Sequence, residues 1–211
     1  MEKSIEQQMQ EVKEKALVCT DCQLSETRTQ VVFGEGNPQA RLVFVGEGPG
    51  EQEDKSGRPF VGRAGRLLDE VLEKVQLKRE DLWIANVLKC RACIIEEGRA
   101  RNRPPRADEV KACRKWLDAE LNLIKPSVIV CVGAPAANLL IHKNFKMTEE
   151  RGQWFTDLMY APSVVAVLHP AYLLRKHGDE YKRMRQLLID DLIEAKKKST
   201  ETQERQQLTL F

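Results

Sequence analysis

The stretch RLVFVGEGPGEQED, residues 41–54, joins a run of apolar side chains directly to a glycine-rich, acidic turn. An apolar run without alternating polar residues is typical of a strand that is buried on both faces of a sheet. Glycines directly after such a strand allow a ligand to approach the backbone closely. The stretch therefore predicts a buried strand with a candidate site at its carboxyl end.

Similar apolar runs recur along the chain and alternate with segments of helical periodicity. With the first run at 41–46, they predict strands at residues 82–88, 127–132 and 163–168, and helices at residues 4–17, 64–76, 107–124, 134–141 and 179–198. This alternation predicts the α/β class, as a three-layer α/β/α sandwich with a central four-stranded, mostly parallel sheet. Since the carboxyl ends of parallel strands meet at one edge, we expect residues 46–54, 86–91 and 169–175 to converge there.

The size and composition of the chain indicate one domain without a membrane span. Its 211 residues, net charge of +2 and 31% charged residues are ordinary for a globular protein. No apolar run approaches the roughly 20 residues that cross a bilayer, and residues 1–15 lack the apolar stretch of a signal peptide. We therefore expect a cytoplasmic protein with one domain at residues 1–198. The rest, residues 199–211, is predicted to be a flexible tail whose polar part, 199–206, is disordered.

Two segments at the predicted site carry side chains suited to catalysis. The glycine-rich turn holds four acids, Glu47, Glu51, Glu53 and Asp54. This acidity disfavours a phosphate cradle and suits a site that stabilises positive charge or activates water, although a solvated turn is an alternative. His169 ends the last apolar run, where a histidine is either structural or directed into a pocket. Taken together, the turn and His169 favour the catalytic interpretation.

Three motifs, in this order along the chain, resemble those of the family-4 uracil-DNA glycosylases. They are Gly46-Glu-Gly-Pro-Gly50 followed by Glu53-Asp54 and Arg58-Pro-Phe-Val-Gly62, then Asn86-Val-Leu-Lys-Cys90, and finally His169-Pro-Ala-Tyr-Leu-Leu-Arg175. The family commonly has Ala where this chain has Gly48, and Ser where it has Ala171. The resemblance covers the chain from about Cys19 to residue 195. It implies a DNA repair enzyme that hydrolyses the N-glycosidic bond of deoxyuridine and leaves an abasic site.

The resemblance implies that the target base is flipped out of the duplex, because its glycosidic bond cannot be reached in the stack. Phe60 would stack on the uracil, and the backbone at Gly48 would allow its close approach. The Asn86 amide has a donor and an acceptor, so it would pair with uracil N3–H and O4 together, a pattern that cytosine does not offer.

The chemistry follows from the same resemblance. His169 would donate a hydrogen bond to uracil O2 as negative charge grows on the departing base. Glu47 or Asp54 would stabilise the positive sugar or orient the attacking water, and the sequence leaves both open. Two alternatives to this monofunctional hydrolase are a non-catalytic uracil-DNA-binding protein and a superfamily branch that stays covalently attached to DNA. In that branch a loop histidine attacks the sugar, but Asn102 stands at the comparable position here, which predicts turnover.

Two further segments carry candidate DNA contacts, namely Leu173, Leu174, Arg175, Arg101 and Arg103. The leucines would form an apolar wedge that fills the gap left by the flipped nucleotide, with ordinary core packing as the alternative. The arginines of the long loop at residues 89–105 would bind phosphates, with a merely solvated loop as the alternative.

The cysteines indicate a metal site whose fourth ligand the spacing leaves open. Cys19-x-x-Cys22 is a metal half-site, and Cys90-x-x-Cys93 would complete a zinc site. The resemblance implies instead that Cys90 and Cys113 join the first pair to hold a [4Fe–4S] cluster.

The last residues, Gln207-Leu-Thr-Leu-Phe211, resemble the pentapeptide that binds the bacterial sliding clamp. In that motif a glutamine, here Gln207, anchors the segment, and Leu208, Leu210 and Phe211 would fill an apolar groove. We therefore expect a monomer, associated with the nucleoid, whose partners are uracil-containing DNA and the clamp.

Overall fold

The computed structural model describes residues 3–208, with side chains as far as residue 201, around a six-stranded sheet. The strands, in chain order, are β1 (Glu35–Gly36), β2 (Leu42–Gly46), β3 (Trp83–Asn86), β4 (Cys93–Glu96), β5 (Arg99–Asn102), β6 (Val128–Val132), β7 (Trp154–Leu158) and β8 (Ala161–Val167). The order within the sheet is β1-β3-β2-β6-β8-β7, whereas β4 pairs with β5 in a separate hairpin.

The four central strands, β3, β2, β6 and β8, run parallel and confirm the strands that the apolar runs predict. Alternate side chains of each strand enter different cores. In β2, Val43 and Val45 pack on one face of the sheet, whereas Leu42 and Phe44 pack on the other. Both faces are therefore buried, which explains why these strands are apolar throughout.

The sheet has six strands rather than the predicted four, because an antiparallel strand is added at each edge. β1 pairs with β3 over only two residues, which is too short for a pattern in the sequence. β7 is an edge strand with exposed polar side chains at Thr156 and Asp157, so it lacks an apolar run. The sheet therefore has two strands more than predicted, and its mostly parallel character is confirmed.

Helices cover both faces of the sheet. In chain order they are α1 (Ile5–Leu17), α2 (Leu24–Thr27), α3 (Glu51–Ser56), α4 (Arg63–Lys74), α5 (Ala107–Ile124), α6 (Ala134–Leu140), α7 (Met147–Glu150), α8 (Pro170–Leu173) and α9 (Gly178–Leu208). The helices α1, α5 and α6 pack on one face and α4, α8 and α9 on the other, which confirms the three-layer sandwich. Within the described residues, no helix combines the length and the apolar character that a bilayer span requires.

The last helix, α9, extends beyond its predicted end at Lys198. The backbone of residues 199–206 is helical, in place of the disorder predicted for them. This stretch is polar but contains neither Gly nor Pro, so nothing in it stops a helix that has already formed. Outside the described residues lie parts of the predicted clamp motif, namely Leu210, Phe211 and the side chains of Gln207 and Leu208.

The arginine-rich segment after β3 forms the β4–β5 hairpin, although the sequence predicts an irregular loop. Its turn residues, Glu97 and Gly98, both have positive φ angles, 50° and 74°. Two such residues between paired strands form the tight turn whose twist suits a hairpin. The Glu-Gly pair is the signal in the sequence that would have identified this hairpin.

A buried salt bridge connects the end of β3 to α5. The Lys89 ammonium lies 2.5 Å from the Glu120 carboxylate, and the two side chains are 1% and 0% exposed. Lys89 Nζ also donates a hydrogen bond to the Asn86 carbonyl at 3.0 Å, and Glu120 accepts one from the Gly34 N–H at 2.9 Å. These contacts fix the carboxyl end of β3 against the helix layer.

Candidate active site

A cleft of about 430 Å³ opens at the carboxyl ends of β2, β3 and β8. Most of the residues predicted for catalysis, base binding or DNA contact line it: Glu47, Gly48, Phe60, Asn86, His169, Arg175 and Arg103. The three segments that the topology predicts to meet therefore do converge. Leu88, Ala92 and Asn102 extend the wall of the cleft to the base of the β4–β5 hairpin.

The two candidate acids have different environments. Glu47 is half-buried in the cleft wall, and burial raises the pKa of its carboxyl. Asp54 is 3% exposed and does not line the cleft. Its two carboxylate oxygens accept the Thr29 N–H at 2.9 and 3.1 Å, because α3 turns the side chain away from the cleft. The geometry therefore places Asp54 away from the cleft, so of the two candidate acids only Glu47 lines it.

A third acid, Glu53, organises the cleft, and the sequence did not single out its role. Its carboxylate accepts hydrogen bonds from the N–H groups of Gly50 at 3.1 Å, Val61 at 2.9 Å and Gly62 at 2.7 Å. The bond to Gly50 is a helix cap, which the spacing of three residues between Gly50 and Glu53 would have indicated. Glu53 thus joins the glycine-rich turn to the loop that carries Phe60.

Phe60 is held in a left-handed backbone conformation with a φ of 53°. Arg79 stabilises it, since this side chain donates hydrogen bonds to the Phe60 carbonyl at 3.0 Å and the Pro59 carbonyl at 2.5 Å. A Cβ atom at Gly65 would lie 1.9 Å from the Phe60 carbonyl oxygen, so only glycine fits there. The loop places the Phe60 ring in a stacked arrangement with His169, with 5.9 Å between centroids.

Asn86 brings a side-chain amide to the floor of the cleft, where it is open to a ligand. It ends β3 and is 3% exposed, yet no side chain or backbone group of the described residues forms a hydrogen bond with its side-chain amide. A Cβ atom at Gly46 would lie 2.5 Å from both Asn86 Oδ1 and Phe60 Cζ. Gly46 is therefore required for this packing, and the unpaired amide is available to a ligand.

His169 presents its Nε2 atom to the cleft in a defined protonation state. Its Nδ1 accepts a hydrogen bond from the Ala171 N–H at 3.1 Å, where it caps α8. Burial, assisted by the positive charge of Arg175 and opposed by Glu53, lowers the pKa of His169 to about 4. The ring is therefore neutral at pH 7, and with Nδ1 as an acceptor its proton is on Nε2.

The candidate DNA contacts at the end of the last motif differ in how far they are buried. Leu173 is 0% exposed and packs in the core with α4 and α9, which contradicts its prediction as a DNA contact. The short helix α8 turns this leucine inwards. Leu174 is half-buried at the edge of the same core, and Arg175 is exposed at the mouth of the cleft.

The arginines of the hairpin segment also differ from one another. Arg101 is 70% exposed and only loosely paired with Glu96, at 3.4 Å. Arg103 lines the cleft, but its guanidinium forms two hydrogen bonds with the buried Glu109, at 2.8 and 2.5 Å. Because Glu109 also caps the start of α5 through the Arg106 N–H, Arg103 has a structural partner that a phosphate would have to displace.

Four cysteines line a second cavity, between α1, α2 and α5. They are Cys19, Cys22, Cys90 and Cys113, whereas Cys93 lies outside it on the hairpin. Two N–H groups point at these sulfurs, since the Lys89 backbone donates to Cys113 Sγ at 3.2 Å and Arg28 donates to Cys90 Sγ at 3.4 Å. The cavity therefore groups the ligand set that the resemblance implies, and Cys93 of the zinc set does not line it.

The four thiols of this cavity are the type of ligand that holds an iron–sulfur cluster. Among the residues that the structure describes, no three His, Cys, Asp or Glu side chains are close enough to hold a single metal ion. A four-iron cluster spreads its thiolates, because each binds a different iron. Burial raises the pKa of Cys113 to about 12, so a bound metal is needed to stabilise its thiolate.

Comparisons with known proteins agree on one family. A model described as the uracil DNA glycosylase superfamily matches residues 33–193. The type-4 uracil-DNA glycosylase of Thermotoga maritima is 44% identical over 192 residues, which are 90% of this chain and 94% of that protein. Proteins of the same name are 36% identical in Sulfurisphaera tokodaii, over 86% of this chain and 85% of that protein, and 41% identical in Archaeoglobus fulgidus, over 74% and 78%.

The state of His169 can be tested by titration. We expect ¹⁵N NMR to show a pKa near 4 and a proton on Nε2, and Arg175→Ala to raise this pKa because it removes a positive charge. Since the unfolded chain takes up this proton below about pH 6.5 and the folded chain only near 4, the stability from this group is lost as pH falls through that window. His142, whose pKa the Lys143 carbonyl and Glu150 raise, is the internal control. A His169 pKa at or above 6.5, or a proton on Nδ1, would contradict this assignment.

Proposed function

The chain belongs to the uracil-DNA glycosylase superfamily and to its type-4 branch, and from that premise we propose that it excises uracil from DNA. It hydrolyses the N-glycosidic bond of deoxyuridine and leaves an abasic site for base excision repair. One observation carries the proposal: the unpaired Asn86 amide, the Phe60 ring and the His169 Nε2–H share one cleft with Glu47.

The cleft can recognise a flipped uracil through the groups that it leaves unpaired. The Asn86 amide offers a donor for uracil O4 and an acceptor for N3–H. Phe60 offers a ring face for stacking, and Gly48 keeps the wall free of a side chain where the base would approach. Cytosine has an amino group at the position of O4 and no proton on N3, so it would pair with Asn86 only if the amide were rotated by 180° from the orientation that pairs with uracil.

The chemical step is assisted at both ends of the breaking bond. A neutral His169 donates from Nε2 to uracil O2, which stabilises the negative charge that develops on the departing base. The carboxylate of Glu47 is only partly solvated, so its negative charge is stabilised when positive charge develops on the sugar. It can also orient the water that attacks the sugar.

The position of Asn102 supports turnover rather than covalent capture. This residue lines the cleft, and its side-chain oxygen accepts a hydrogen bond from Arg91 Nε at 2.7 Å. An amide is not a nucleophile towards the sugar, so it supplies no covalent step of the kind that a histidine there would supply.

Replacement of each candidate acid by the corresponding amide tests this mechanism. We expect Glu47→Gln to lower kcat for uracil release by about 100-fold or more, because it removes the charge that stabilises the sugar. Asp54→Asn should retain kcat within about threefold and lower the Tm, since Asp54 only accepts the Thr29 N–H.

In the assay, the protein is incubated with a labelled uracil-containing oligonucleotide, which is then treated with alkali and resolved on a denaturing gel. Strand cleavage indicates hydrolysis, and a slowly migrating adduct would indicate covalent trapping. An uncleaved strand that the protein still binds would indicate the non-catalytic alternative. Equal kcat for wild type and Glu47→Gln would refute the role given to Glu47.

We propose that Cys19, Cys22, Cys90 and Cys113 hold a [4Fe–4S] cluster. Their shared cavity, its apolar lining and the two N–H groups directed at sulfur support this ligand set. Such a cluster would join the segment after α1, the turn after β3 and the helix α5, and would thereby contribute to folding stability.

A pair of serine variants tests the ligand set. Cys113→Ser should lower bound iron and labile sulfide and lower the Tm, because one cluster ligand is lost. Cys93→Ser removes a thiol of similar burial outside the cavity and should retain both. Loss of iron with Cys93→Ser alone, or zinc in place of iron in the purified protein, would contradict the proposal.

Among the DNA contacts, we propose that Arg175 at the mouth of the cleft and Arg101 on the hairpin bind phosphates. Both are exposed, and a duplex entering the cleft would pass close to Arg175. Of the two leucines, only Leu174 remains a candidate for the apolar wedge that enters the duplex. These contacts would make binding sensitive to salt.

We propose that the C-terminal residues bind the bacterial sliding clamp and bring the protein, as a monomer, to DNA in the nucleoid. The support is the sequence Gln207-Leu-Thr-Leu-Phe211, whose apolar residues follow a polar stretch. In a pull-down with the clamp, we expect the full chain to bind and a chain that ends at Gln203 not to bind. A Thr209→Ala variant is the matched control and should bind like the full chain. Equal capture of the truncated and full chains would refute the proposal.

A further inference from the structure

The β4–β5 hairpin has two different faces. The register pairs Cys93 with Asn102 and Ile95 with Ala100, so these four residues share one face. On the other face Ile94 pairs with Arg101, and Glu96 pairs with Arg99. The first face is apolar apart from Asn102, and Asn102 lines the cleft.

The apolar face is exposed beyond the base of the hairpin. Ile95 is 64% exposed, whereas Cys93 at the base is buried. Single exposed apolar residues are common, but Ile95 lies on the same face as Asn102 of the cleft wall, and its cross-strand partner Ala100 is two positions from Asn102 along β5. A spacing of two strand residues is about 7 Å, or about two base-pair steps along a duplex.

The hairpin is also anchored firmly at its base. The buried Arg91 donates hydrogen bonds to Asn102 Oδ1 at 2.7 Å and to the Ala100 carbonyl at 3.2 Å. The Arg103 N–H donates to the Ala92 carbonyl at 3.0 Å, and the turn at its tip has only two residues. Ile95 is thus presented at a fixed position beside the cleft.

A glycosylase that flips a base must stabilise the stack that the base has left. Leu173 is unavailable for this because it is fully buried in the core, and Leu174 is half-buried at the edge of the same core. Of the exposed large apolar side chains of the described residues, Leu17, Val18, Met159 and Ile193 lie on elements that contribute nothing to the cleft wall, whereas Tyr172, Ile94 and Ile95 lie on segments that do. Ile95 is the most exposed of these three, at 64% against 37% for Tyr172 and 39% for Ile94.

We propose that the face of the hairpin formed by Ile95 and Ala100 packs against duplex DNA beside the flipped nucleotide. Ile95 is the main contact, and it favours a duplex over a single strand because only the duplex presents an ordered stack next to the gap. The inference rests on the proposed function, since it takes the cleft as the place where the flipped nucleotide enters. The long side chains of Arg99 and Arg101 extend from the opposite face towards the phosphates.

The experiment compares two isoleucines that are neighbours in sequence but lie on opposite faces. Fluorescence anisotropy gives the Kd of wild type, Ile95→Ala, Ile94→Ala and Ile95→Leu. The probes are a duplex with a central tetrahydrofuran abasic-site analogue and the same strand alone. We expect Ile95→Ala to raise the duplex Kd by about fivefold to tenfold, as for the loss of a partly buried apolar contact. Its Kd for the single strand should not change.

The other variants test whether the effect belongs to this face. Ile94→Ala should leave both Kd values within about twofold of wild type, and Ile95→Leu should retain most of the duplex affinity. The proposal is overturned if Ile95→Ala leaves the duplex Kd unchanged or weakens both substrates equally. It is also overturned if Ile94→Ala matches the effect of Ile95→Ala.

The same proteins, assayed for uracil release from both substrates, separate this inference from the proposed function. Absence of release by wild type from both substrates would refute the proposed function. The binding comparison on the abasic probe would still decide the role of Ile95, because that probe contains no uracil.

Discussion

The salt bridge between Lys89 and Glu120 is the interaction on which the site and the cysteine cavity both depend. Burial of two opposite charges is costly, and their attraction offsets that cost only when their remaining hydrogen-bonding groups are also satisfied. Here the Asn86 carbonyl and the Gly34 N–H satisfy them. The Lys89 ammonium also lies 5.6 Å from the centre of the Phe33 ring. Removal of one partner would leave a buried charge uncompensated, at a cost of about 3–5 kcal/mol.

Lys89 connects the two functional regions directly. The side chain of Lys89 donates a hydrogen bond to the backbone carbonyl of Asn86, whose side chain lines the cleft. The backbone N–H of Lys89 donates to the sulfur of Cys113 in the second cavity. The four residues from Asn86 to Lys89 are all buried. A displacement of Cys113 would therefore be transmitted to Asn86. This contact would couple the proposed cluster to the proposed base-recognition residue.

The central sheet could be predicted from the sequence because its strands are buried on both faces and therefore apolar throughout. The edge strand β7 could not, because it is partly exposed and has no such pattern. At the site, His169 and Asn86 were predictable since each ends a strand, and a strand end fixes where a side chain lies. Leu173 was not, because the inward turn of α8 depends on packing against α4 and α9.

Choices between neighbouring residues also required the structure. Glu47 and Asp54 belong to one acidic segment, and only the start of α3 turns Asp54 towards Thr29. Cys93 has the same C-x-x-C relation to Cys90 as Cys22 has to Cys19, so spacing could not exclude it. The hairpin moves it out of the cavity. In both cases the two candidates share one sequence pattern, and three-dimensional packing gives them different environments.

Two costs of the folded state are concentrated at the cleft. Phe60 has a left-handed backbone, and Glu47 is a partly desolvated acid. Each such feature costs on the order of 1–3 kcal/mol. The hydrogen bonds of Glu53 and Arg79 stabilise the loop that carries Phe60. The Asn86 amide is not among the buried atoms without a partner in the described residues, because it opens to the cleft, where water can pair with it. A base in the cleft would replace that water and pair with the amide in one of two orientations, one suited to uracil and the other to cytosine, so discrimination requires the first orientation to be fixed.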